Sequence, residues 1–154
     1  MKKIICTIMC VLSLTSCMKY KTLSKIWDIK SENIYKVDCH FFIASYFSRY
    51  TKEEHIDVFF DFINVKYEEC EERDDYEEGY SFRVYYKIND VRFCNELYYV
   101  DDRLYFEYYH LYLDQNSSVL VPKEKRCYIS KNTFNEKDII YFYNGSLYEW
   151  VSKQ

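Results

Sequence analysis

From Gly79 onward, apolar residues fall at every second position. Phe82, Val84, Tyr86 and Ile88 alternate with Ser81, Arg83 and Lys87, the pattern of a strand buried on one face. Asn89-Asp90 is a turn signal, and Val91 to Tyr99 returns as a second strand. Asp101-Asp102 turns again, and Leu104, Phe106 and Tyr108 begin a third. Gln115 to Ser118 reads as a loop. A weaker strand covers Val119 to Val121 and Cys127 to Ser130, interrupted at Pro122. Ile139 to Tyr143, Asn144-Gly145 and Ser146 to Val151 read as a hairpin, since Asn-Gly tolerates positive φ at both turn positions.

Upstream the period changes. Thr51 and Glu54 have the spacing of a capping box. Asp57, Asp61, Asn64 and Glu68 fall on one stripe of a helix, and Ile56, Phe59, Phe60, Ile63 and Tyr67 on the other side. The spacing predicts a helix over 51–69. Ile34 to Tyr50 fits both periods; Val37, Phe41 and Ala44 at helical spacing make it a second helix. Glu68 to Glu78 is a charge run and reads as a solvated loop. Short turns force antiparallel neighbours. The expected class is therefore α+β, with one or two N-terminal helices packed on an antiparallel β-meander of about five to seven strands. The alternative is an all-β, lipocalin-like barrel, which requires 34–67 to be strand.

Composition narrows the function classes. The net charge is −4, with 49% hydrophobic and 21% aromatic residues. Nucleic-acid binding needs a basic surface, so no nucleic-acid partner is expected. With only Gly79 and Gly145, no glycine-rich phosphate loop or nucleophile elbow can be built. His40, His55 and His110 are scattered, without a metalloprotease motif. The acidic run lacks the D-x-D-x-D-G spacing of a calcium loop. No catalytic residue, metal or cofactor is expected, and the chain reads as a non-enzyme. Tyr85, Tyr98, Tyr105, Tyr109 and Tyr112 on the meander are candidates for a recognition surface, because tyrosine combines a large ring with a hydroxyl.

The N-terminus adds an address. Lys2 and Lys3 precede a 13-residue apolar stretch, Ile4 to Ser16, whereas a membrane-spanning helix needs about 20 residues. This is the form of an export signal. Leu14-Thr15-Ser16-Cys17 resembles the lipobox of bacterial lipoproteins. That resemblance implies cleavage after Ser16 and a diacylglycerol thioether on Cys17, leaving 138 residues. The organisation expected is a signal over 1–16, lipid attachment and tether over 17–33, and a single extracytoplasmic domain over 34–154. Trp27 is similarly placed to the N-terminal Trp of lipocalins, but Lys25 stands where that family has Gly.

Cys39, Cys70, Cys94 and Cys127 remain after the signal and Cys17. An even number in an exported chain predicts two disulfides, with three connectivities open. The reading is a lipid-anchored envelope protein, a non-enzymatic binding or interaction module held at the membrane by its lipid, with an unidentified protein or small-molecule partner. Two alternatives stand beside it: a secreted effector, viral or otherwise, that binds host proteins, and a lipocalin-like small-ligand binder. The sequons at Asn116 and Asn144 bear on the first of these.

Overall fold

The structure, a computed structural model, describes residues 20–41, 45–74, 79–113 and 120–143. The lipobox, the Asn144-Gly145 turn and both sequons lie outside them. The strands are β1 (Lys21–Thr22), β2 (Ile34–Phe41), β3 (Ser45–Tyr50), β4 (Lys66–Cys70), β5 (Tyr80–Ile88), β6 (Val91–Val100), β7 (Arg103–Leu113) and β8 (Leu120–Ser130). They form one antiparallel sheet in the order β1-β4-β8-β7-β6-β5-β2-β3. Among the described residues three short α-helices accompany them, α1 (Leu23–Trp27), α2 (Glu53–Ile63) and, after β8, α3 (Glu136–Tyr143), with a 3-10 turn at Ser31–Asn33.

This corrects the α+β expectation. The protein is mostly an open antiparallel sheet, closer to all-β, and β1 and β3 are its edges. It is not a closed barrel, so the lipocalin-like alternative also fails. The correction begins at 34–50, expected as helix. Val37 and Cys39 enter the core while Asp38 faces the other side, a period of two. β2 is clasped between β3 and β5, and those ladder hydrogen bonds settle a segment that fits either period.

Helix α2 forms on the expected face, with Ile56, Phe59, Phe60 and Ile63 buried. Two details differ. Its N-cap is Lys52, with no side-chain cap bond, so the Thr51–Glu54 capping box does not form. The helix also stops at Ile63, and Lys66–Cys70 pairs with β8 instead of continuing it.

The meander is as read. Asn89 and Asp90 have φ of 49° and 64°, and Asp101 and Asp102 have 49° and 60°. Asn and Asp tolerate that left-handed region better than other non-glycine residues. The strand interrupted at Pro122 is continuous, because Pro122 sits beside a register shift at His110/Leu111, where a bulge relieves the missing N–H. Ile139–Tyr143, expected as strand, is helical. Asn135 Oδ1 accepts the Lys137 N–H at 2.9 Å, and Ile139, Phe142 and Tyr143 at i, i+3 and i+4 are buried.

All three helices cover one face of the sheet. Leu23, Ile26 and Trp27 from α1 join Phe59, Ile63, Phe142, Phe82, Leu97, Leu104 and Phe106 in one cluster. Much of the stretch expected as tether is therefore core: Leu23 and Trp27 are fully buried and Ile29 nearly so.

Candidate functional site

Strands β6 and β7 leave their shared hairpin together but separate early. Their pairing runs only from Val100↔Arg103 to Tyr98↔Tyr105, while β6 stays on β5 down to Val91 and β7 stays on β8 up to Leu113. The sheet forks there, and a pocket of about 230 Å³ opens beside the fork. Trp27, Asp28, Tyr86, Ile88, Phe93, Asn95, Tyr108 and Tyr109 line it.

The period of two supplies most of this lining. Tyr86, Phe93 and Tyr108 belong to the core-facing rows of β5, β6 and β7. Three rings run outward from the core. Trp27 stacks on Tyr86 with centroids 5.8 Å apart and planes 9° from parallel. Tyr86 stacks on Phe93 at 5.4 Å and 17°. Asn95 Nδ2 donates to the Tyr86 hydroxyl at 2.8 Å. Asp28 caps α1 in the left-handed region at φ 54°, which turns the chain at the pocket mouth. Burial first, and then the Asp28 charge, raise the Tyr108 pKa, so Tyr108 stays protonated at neutral pH. The Trp27 Nε1–H is buried with no hydrogen-bond partner, and a buried donor left unpaired costs about 1–3 kcal/mol. The pocket thus combines flat apolar walls with an unmet donor among its lining residues and a carboxylate at its rim.

The other face of the sheet carries a polar ladder. Asp38 receives Arg49 at 2.6 and 3.1 Å and Lys36 at 3.0 Å. Next to it, His40 pairs across the strands with Ser81. This places Ser, His and Asp side by side on one face. The Ser81 hydroxyl donates to Glu96 at 2.6 Å, and Asp38 is taken by its two cations. Burial and then Arg83 lower the His40 pKa. The ladder stabilises the fold. Burial alone would raise the Asp38 pKa, but the Arg49 and Lys36 hydrogen bonds outweigh it and hold it below the usual value. A depressed carboxylate contributes stability above its unfolded pKa and loses it as pH falls through the folded one. Asp38→Asn is expected to cost about 1–2 kcal/mol at neutral pH, discounted because Arg49 is half exposed. In urea titrations the gap to wild type should shrink below about pH 4; a gap independent of pH would refute this assignment.

The tyrosines expected as a recognition surface are not equivalent. Tyr109 is exposed and borders the pocket. Tyr85 and Tyr98 are half-buried, and Lys36 Nζ lies 3.5 Å over the Tyr85 ring. Tyr105 is fully buried and receives the Arg73 backbone N–H at 3.3 Å. The side chain of Tyr112 is outside the described residues, as is Cys17. Trp27, Asp28, Phe93 and Asn95 were not expected at a site; the inward row of the meander carries Phe93 and Asn95, but the fork depends on β7 choosing β8 over β6, and Trp27 and Asp28 come from α1 and its C-cap.

Cys39, Cys70, Cys94 and Cys127 are free thiols in the structure. Among the described residues, no group of three or more His, Cys, Asp or Glu is placed to hold a metal, and no helix is long and apolar enough to cross a membrane. No protein-family model, curated protein or solved structure matches the chain.

Proposed function

We propose that this chain is an extracytoplasmic, lipid-anchored, non-enzymatic binding module that takes a small ligand into the pocket at the β6–β7 fork. The observation that carries the binding half is the ring stack Trp27–Tyr86–Phe93 ending in that pocket. Apolar walls with a few convergent polar groups are the usual composition of a ligand site. At about 230 Å³ the space suits a single ring or a body of that size with one polar end. The anchoring half rests on the resemblance of Leu14-Thr15-Ser16-Cys17 to a lipobox. Four residue steps from Cys17 to Lys21 span at most roughly 14 Å, so the lipid would hold β1 close to the membrane surface.

The binding half is tested with a panel of aromatic fragments and a Trp150→Phe chain, in which Trp27 is the sole tryptophan reporter. Flat fragments are expected to change Trp27 emission, and Tyr108→Ala is expected to weaken them about tenfold, the value of one aromatic contact. Fragments that bind Tyr108→Ala equally well, or no binder in the panel, would overturn this reading. The anchoring half is tested by labelled palmitate in a bacterial host: label on the native chain and none on Cys17→Ala supports it, and an unlabelled exported product refutes it.

A further inference from the structure

Cys70 ends β4 and Cys127 lies directly opposite it on β8. Tyr67 on β4 and Tyr128 on β8 point into the core. Alternation therefore sends Cys70 and Cys127 to the same outer face. Directly opposed antiparallel residues have Cα atoms about 4.5 or 5.5 Å apart, according to the pair type. Both distances fall in the range of about 4.4–6.8 Å that a disulfide accepts.

The other two cysteines do not share such a place. Cys39 is in the core on β2. Cys94 is exposed on β6, opposite Tyr85 on the outer face. Strand β5 stands between them. Two strand spacings come to about 9.5 Å, beyond the roughly 7 Å that a bridge can close.

We propose that Cys70 and Cys127 form a cross-strand disulfide under oxidising conditions, and that Cys39 and Cys94 remain thiols. The reaction is thiol–disulfide exchange with an external disulfide. One cysteine thiolate attacks it and releases one thiol; the second then displaces the other thiol from the mixed disulfide. Two protein thiols are oxidised and one external disulfide is reduced to two thiols. The bridge fixes the start of the segment 71–74, which lies over the outer face. There Arg73 meets Asp101 at 2.6 Å and the Tyr105 hydroxyl through its N–H, and Glu72 pairs with Lys125. The staple would hold β4, a short strand near the sheet edge, to β8 at the last pair of their ladder.

Tryptic digestion separates Cys39, Cys70, Cys94 and Cys127, because 67–73 holds only Cys70 and 127–131 only Cys127. The reduced full chain is oxidised, still folded, in a glutathione redox buffer, then alkylated in denaturant without reductant and digested. The expected product is peptide 67–73 joined to 127–131 with the loss of two hydrogens, and alkylated Cys39 and Cys94. The bridge should raise the thermal midpoint by roughly 5–15 °C, and Cys70→Ser and Cys127→Ser should each abolish that gain, the double variant no further. Alkylated thiols at both Cys70 and Cys127, or a bridge that joins either of them to a third cysteine, would overturn the proposal.

Discussion

Trp27→Ala is expected to destabilise the protein by about 3–5 kcal/mol, the usual cost of deleting a large buried aromatic. The residue lies in a segment whose sequence reads as a polar tether, so the size of the loss decides between two descriptions of 21–29. In the fold, Trp27 is fully buried. It stacks on Tyr86 and meets the Phe106 edge at 5.3 Å and 78°, geometries that favour aromatic pairs. Helix α1 has only five residues, too few to persist alone. It is held by Leu23, Ile26 and Trp27, and by Asn64 Oδ1, which accepts the Ser24 N–H at 2.9 Å. Urea unfolding of the variant measures the loss. A change below about 1 kcal/mol would mean that this stretch is a tether after all. The variant also empties the inner wall of the pocket, so fragment binding should disappear with it.

Phe142→Ala should cost a similar amount, about 3–5 kcal/mol. Its ring is fully buried and meets Tyr50 at 6.4 Å, Phe59 at 5.5 Å, Phe62 at 4.7 Å and Phe82 at 6.1 Å. Its backbone carbonyl accepts the Ser48 hydroxyl at 2.6 Å and the Tyr50 hydroxyl as well. Helix α3 is thus the clamp that seats edge strand β3 on the core. Besides the loss of stability, amide exchange in β2 and β3 is expected to speed up more than in β7 and β8. A uniform change across the sheet would refute the clamp. A small effect would favour the strand that the sequence suggests for 139–143, since a hairpin there would leave Phe142 with fewer neighbours.

The pocket was legible only in fragments. The rows that contribute Tyr86, Phe93 and Tyr108 follow from alternation, whereas Trp27 and Asp28 arrive from a segment with no sequence period. Nor does any local signal say that β6 and β7 part company after three pairs. The cysteines show the same division. Their number suggested bridges, but which two oppose each other is a matter of register, fixed by the pairing of β4 with β8.

The sequence by itself determined the elements whose signals are local and agree with one another. The apolar face of α2 is written at i, i+3, i+4 and i+7 from Ile56 to Ile63. The β5–β6–β7 meander is written in alternation, and its two turns in residues that accept positive φ. Tertiary structure decided the rest. Ile34–Phe41 and Lys66–Cys70 became strands because β5 and β8 offered them unpaired backbone edges. Glu136–Tyr143 became a helix because it buries Ile139, Phe142 and Tyr143 together, Phe142 and Tyr143 packing on Phe59, Phe82, Tyr50 and Tyr80. The physical reason is common to all three. A short apolar segment satisfies either period, and a strand's hydrogen bonds are made with a partner distant in the chain, so the choice lies in the partner.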